Sequence, residues 1–211
     1  DTLNIKGALI SADAMNSQKK IVEKISSENA DYVLCIKNNH KQLRDEIAAY
    51  FHKVERDNPA WIACNEQTDS GHGRIEVRRC QQLRVSEWIS EAQHWKGIRS
   101  VIKIERERHL KDKEVSTETQ YYISSLDIDP VAVNQAIRAH WEVENKVHWV
   151  LDVTFKEDDS RIRKEDGAEN VGVIRRFCLN MARLHPKKAS MRSKLKMAGW
   201  ADEFRAELIF G

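Results

Sequence analysis

Apolar residues first cluster from Gly7 to Ala12, a run that ends at Asp13 and is short enough for a strand. Ser17 to Asn29 then carries Ile21, Val22 and Ile25 at helical spacing, with Asn16 or Ser17 placed to cap it. Tyr32-Val33-Leu34-Cys35-Ile36 is apolar without alternation, the mark of a strand covered on both faces. Two such strands around one helix predict a right-handed crossover and parallel pairing. Helical spacing returns over about Lys41 to Val54.

The pattern changes after Pro59. Ser70-Gly71-His72-Gly73 reads as a turn, and Arg74–Leu83, Ser100–Arg108 and Thr117–Ser124 read as three antiparallel strands. A helix-like piece lies near Ser86 to Trp95. Ile75 and Val77 share one face of the first strand, while Arg74, Arg78, Lys103, Arg106 and Arg108 fill outward positions. Asp129-Pro130, an N-cap residue followed by proline, opens a helix predicted to run to about Leu151. A charged loop (Asp152 to Gly167) separates it from a helix over about Ala168 to Leu184, with apolar spacing at Val173, Ile174, Phe177, Met181 and Leu184. Beyond His185-Pro186 the pattern predicts one or two short basic helices.

With 211 residues, 41% hydrophobic and 32% charged, the chain can bury one sizeable core, which excludes a disordered or linker-like protein. No apolar run approaches the ~20 residues of a membrane helix. No secretory signal opens the chain, and it starts at Asp1 rather than Met, so we expect a fragment of a longer protein. Cys35, Cys64, Cys80 and Cys178 form no C-x-x-C pair, which argues against a zinc knuckle and suits a reducing cytoplasm.

Net charge is only +2, but its distribution is uneven. From Asn170 to Ala201 there is no acidic residue, while Arg175, Arg176, Arg183, Lys187, Lys188, Arg192, Lys194 and Lys196 are basic. Segregation of this kind suits a phosphate-binding surface; a solvated helix face that happens to be basic is the plainer alternative.

On the helix from Pro130, a stripe of Val133, Ile137, His140, Glu144, Val147 and Leu151 keeps helical phase, which turns Glu144 inward, while Glu142 faces water. An inward carboxylate needs a cation or a metal ion, or else hydrogen-bond partners within the core. Asp13 ends the first strand, where open α/β sheets place ligand-handling groups, although an Asp there can also cap the next helix. Two such carboxylates on separate elements suit Mg2+, a hard ion that prefers oxygen. His140, Glu144, His148 and Asp152 also fall at i, i+4 spacing. That is a weak zinc pattern and reads better as a hydrogen-bonded ridge.

Ile10-Ser11-Ala12-Asp13-Ala14-Met15 with Gln18, then Ala30 to Leu34 with Lys37 and Asn39, resembles the second-aspartate region of bacterial insertion-sequence transposases. His140-Trp141-Glu142-Val143-Glu144-Asn145-Lys146-Val147-His148-Trp149, continuing through Asp152 and Phe155 to Glu157, Asp158, Ser160 and Arg161, resembles their glutamate helix. The match is to the H-repeat-associated type of Asp-Asp-Glu (DDE) transposase and covers nearly the whole chain. The resemblance implies an α/β, ribonuclease-H-like core interrupted by an antiparallel β insertion, with a helical C-terminal part. The core halves would be residues 1–58 and 127–185, the insertion 59–126, and a basic helical tail 186–211.

By the same resemblance, Asp13 is the second catalytic aspartate and Glu144 the catalytic glutamate. Together they hold Mg2+, for which Mn2+ can substitute, in phosphodiester cleavage and strand transfer. Asn145, His148 and Arg161 are supporting residues. Arg175, Arg176, Lys187, Lys188, Arg192, Lys194 and Lys196 are the expected DNA contacts, the partners being double-stranded transposon ends and target DNA, with a homodimer as the active form and no membrane. Two departures stand out. His140 and Asp152 occupy positions where the wider group has Arg and Lys, and nothing upstream of Asp13 matches the first aspartate. We therefore expect a partial core without its first strands, an exposed sheet edge open to a second copy, and no activity by the chain alone. A non-enzymatic DNA-binding remnant and a small unrelated metal nuclease are the competing readings.

Overall fold

The computed structural model describes residues 3–71, 74–110 and 114–211, apart from the side chains of Arg74, Glu144 and Asn145. It is mixed α/β and divides into two units, residues 1–140 and 141–211.

In the first unit, β1 (Leu9–Ala12) and β2 (Asp31–Ile36) pair in parallel around α1 (Lys19–Ser27), as the apolar pattern requires. Asn29, with φ of 55°, takes the left-handed conformation that ends α1 and turns the chain into β2. Tyr32 to Ile36 are buried without a break, so β2 is covered on both faces.

β3 (Ala63–Gly71), β4 (Arg74–Arg84), β5 (Ser100–Leu110) and β6 (Ser116–Ser124) follow in antiparallel pairs. β6 returns beside β2, with Cys35 opposite Tyr122, so one six-stranded sheet runs β1-β2-β6-β5-β4-β3. β3 has no counterpart among the three strands expected from the sequence. Its half-covered positions are Ala63, Asn65 and Gln67, so no apolar alternation marks it.

One face of the sheet carries α1 and α2 (Lys41–Asp57). Val22, Ile25, Leu43, Ile47 and Phe51 pack there against Leu34, Val101 and Ile123. The predicted helix near Ser86 is a short 3-10 turn at Ser90–His94. Glu46 of α2 holds it, accepting from the Ser90 hydroxyl at 2.7 Å and the Glu91 amide at 2.9 Å. Burial opposes the Glu46 charge, but these donors outweigh it and hold the carboxyl below its usual range. A carboxyl depressed on folding adds stability above its unfolded pKa, which is lost as pH falls through the folded value. Glu46→Ala is accordingly expected to speed amide exchange at Ala92 and Trp95 at neutral pH, and native protein should approach that behaviour in acid.

The other face carries α3 (Pro130–Val143), through Val133 and Ile137. Asp129 caps it, its Oδ1 accepting from the amides of Val131 and Ala132. Asn134 donates to Asn65 Oδ1 at 2.9 Å, and Arg138 to Asp69 Oδ2 at 2.6 Å. Arg78, Lys103 and Arg106, expected to face outward, are 7%, 6% and 6% exposed. Both faces of the sheet are covered at their level, so alternation there does not separate core from solvent.

The second unit contains a π-helical turn at Glu144–His148, α4 (Trp149–Phe155), α5 (Gly167–Leu184), α6 (Met191–Trp200) and α7 (Asp202–Phe210). Ala182, Phe204 and Leu208 form its small core. In α5 the expected apolar stripe is turned out except at Met181, which packs against that core. Val173, Ile174, Phe177 and Leu184 are 58–85% exposed, and the inward positions are Gly172, Leu179 and Ala182. Among the described residues, no helix is long and apolar enough to cross a membrane.

Candidate active site

Asp13 lies just beyond β1 in a turn that the surrounding chain holds tightly. Its Oδ1 accepts from the Asn16 amide and the Asn16 side chain, both at 3.2 Å, and its carbonyl accepts from the Ser17 hydroxyl at 2.8 Å. From the β2–α2 connection, Asn39 Nδ2 donates to the Ala14 carbonyl at 2.6 Å, and His40 Nε2 lies 2.7 Å from the Ser17 carbonyl. Asn16 and Ser17 therefore close this turn rather than cap α1, whose N-cap is Gln18 with no side-chain bond. Asp13 does not cap that helix either. It is exposed, and its Oδ2 carries no hydrogen bond among the described residues. A fixed carboxylate with one free oxygen suits a hard cation.

Ser11 Oγ lies 3.2 Å from His140 Nδ1, tying β1 to α3. The His140 ring is thus engaged with Ser11. Cys35 shares this sheet face. Burial pushes its thiol up, with Lys37 and Tyr122 acting against that and Asp13 adding to it.

In the second unit, Glu144 and Asn145 open the π turn, and their side chains lie outside the described residues. The π turn interrupts the single helix expected to run to about Leu151, although Leu151 itself is buried as its place in the stripe requires. Insertions of this kind recur at functional sites. His148 and Arg161 are exposed. Among the described residues, no group of three or more His, Cys, Asp and Glu is placed to hold a metal ion.

The basic stretch separates into two kinds of residue. Arg175 and Arg176 lie 3.8 and 3.4 Å from Glu157 Oε1. Lys194 is 6% exposed and donates to the carbonyls of Ala182 and His185, so its charge is turned inward and is not presented to DNA. Arg183, Lys187, Lys188, Arg192 and Lys196 are exposed, with Lys187 over the Phe204 ring and Lys196 over that of Trp200.

A family model for the transposase DDE domain matches residues 1–181. The chain is similar to the protein YbfL of Escherichia coli K12, 35% identical over 99% of this chain and 56% of that protein. It is equally similar to "H repeat-associated putative transposase YhhI" of the same strain, 35% identical over 99% of this chain and 56% of the relative. The chain thus spans a little over half the length of the curated relatives it matches. The family implies a ribonuclease-H-like fold. On the match over residues 1–181, the chain belongs to the DDE transposase family, with relatives of the H repeat-associated type.

Proposed function

We propose that the chain is part of the catalytic domain of a transposase that cuts and joins DNA at the ends of an insertion sequence, with Asp13 and Glu144 sharing divalent metal. The observation that carries this reading is the Asp13 turn, which fixes one carboxylate oxygen and leaves the other free at the carboxyl end of β1. The Ser11–His140 bond supports it, because it ties that strand to the helix position four residues before Glu144. When bound, Mg2+ or Mn2+ supplies activation of the attacking oxygen and stabilisation of the leaving one.

The chain's own residues supply positioning. Asn16 orients the Asp13 carboxylate, and Asn145, His148 and Arg161 support the site. Arg183, Lys187, Lys188, Arg192 and Lys196 take phosphates of double-stranded DNA without reading sequence. Two element ends call for a dimer. Two carboxylates bind metal but fall short of the family's three, so these residues alone bind metal and DNA without turnover. β1 lies at an edge of the sheet, which leaves it open to pairing with a second copy.

The test is a Mn2+ titration read by water-proton relaxation, beside Asp13→Asn and Glu144→Gln. Each variant is expected to bind at least about tenfold more weakly, a loss of ~1.4 kcal/mol. Binding indifferent to both changes would overturn the shared site and favour a DNA-binding remnant.

A further inference from the structure

Asp13 and Lys37 are the first residues beyond β1 and β2, two parallel strands that end at the same edge of the sheet. The register, with Ala12 beside Leu34, puts both at the carboxyl edge, where open α/β sheets handle ligands. One side-chain amide ties the two strand ends together. Asn39 Nδ2 donates to the Ala14 carbonyl at 2.6 Å, and Asn39 Oδ1 accepts from the Lys37 amide at 3.3 Å. The Asp13 turn and the backbone of Lys37 thus share one clamp. Cys35, two residues before Lys37, feels both charges: burial is the main force raising its thiol, Lys37 acts against it, and Asp13 adds to it.

Lys37 is exposed, and among the described residues its ammonium has neither a hydrogen bond nor an ion pair. It lines a cavity of about 440 Å3 with Arg44, Asp45, Glu118, Thr119 and Tyr121, so a phosphodiester group has room to reach it. The other charges on that wall are engaged. Arg44 donates to Asn38 and Asp45, and Glu118 accepts from Gln120 at 2.8 Å. Asp13 and Lys37 form no ion pair with each other, which leaves the free carboxylate oxygen to a cation and the ammonium to an anion. We infer that Lys37 binds a non-bridging oxygen of the phosphodiester on which Asp13 acts, fixing the DNA backbone against the metal-binding carboxylate. This deepens the proposed function and rests on it.

The test uses the 211-residue chain in excess over Mn2+, with dimethyl phosphate as a bare phosphodiester, read as broadening of its phosphorus NMR line. Native chain is expected to broaden the line, because Mn2+ and the phosphodiester are held side by side. Lys37→Gln should cut the broadening about fivefold, while water-proton relaxation shows Mn2+ still bound as in native chain. Lys37→Arg keeps the charge and should retain most of the broadening. With a short DNA duplex, Lys37→Gln should bind about fivefold more weakly, with a salt slope smaller by about one. Equal broadening in native chain and Lys37→Gln would overturn the contact, and equal loss in Lys37→Arg would overturn the role of charge. Loss of broadening with unchanged duplex affinity would overturn the DNA assignment and leave a site for free phosphate esters. The reading beneath fails separately: Mn2+ binding indifferent to Asp13→Asn and Glu144→Gln sinks the shared metal site, whereas Mn2+ binding lost in Asp13→Asn with no effect of Lys37→Gln sinks only the phosphate contact.

Discussion

Lys194→Met is expected to destabilise the unit of residues 141–211 by about 3 kcal/mol, because two charge-assisted hydrogen bonds go at once. The Lys194 ammonium donates to the Ala182 carbonyl at 2.8 Å and the His185 carbonyl at 2.7 Å. These lie at the C-terminal end of α5, where a helix leaves carbonyls without partners and favours a cation. Met keeps the stem among Ala182, Phe204 and their neighbours while removing the charge, so the loss reports the hydrogen bonds rather than a cavity. Amide exchange over residues 191–210 should rise well above that of Lys188→Met, a change at an exposed position expected to stay within about 0.5 kcal/mol. Equal exchange in the two variants would mean that the carbonyls find other donors.

The second large effect is expected at Lys103. Its ammonium lies 2.5 Å from Glu55 Oε1 and 3.1 Å from Glu105 Oε1, linking β5 to α2. Lys103→Met leaves two carboxylates facing each other; both are partly exposed, so the cost should be about 2–3 kcal/mol rather than the full penalty of a buried charge. Adding Glu55→Gln to Lys103→Met should recover part of it, because one of the repelling charges is then gone. Burial pulls the Lys103 pKa down, but hydrogen bonds to Glu55 and Glu105 outweigh it and hold the group above its usual range. A cation raised on folding contributes stability that is complete below its unfolded pKa and disappears as pH rises through the folded value. Urea melts should therefore show a steady gap between native protein and Lys103→Met at neutral pH, closing in the alkaline range. A gap that widened there would contradict the ion network.

Both lysines show where sequence stops being informative. The β-α-β unit was legible because Tyr32 to Ile36 is apolar without a break, and Asp129-Pro130 marked the start of α3 by local chemistry alone. β3 was not legible, since Asn65 and Gln67 look toward a polar seam with Asn134 and Arg138 that exists only once α3 has docked. Arg78, Lys103 and Arg106 looked like solvent positions because the elements that cover them come from elsewhere in the chain. At the candidate site, the position of Asp13 at a strand end was readable from the run before it. The closing of its turn by Asn39 and His40, more than twenty residues later, was not. The π turn at Glu144–His148 has no signature in residue type, so one unbroken helix to about Leu151 was expected there.

The strand order also constrains how the chain can fold. β2 is apolar on both faces, yet one of its two neighbours, β6, comes last of the six strands and pairs with it only after β3, β4 and β5 have been made. Closing that long loop costs entropy before any contact between the two strands repays it, so the topology favours slow collapse. On a ribosome, β2 would wait with one edge bare through the synthesis of the intervening strands, which makes this interval the one in which the nascent chain most needs a chaperone.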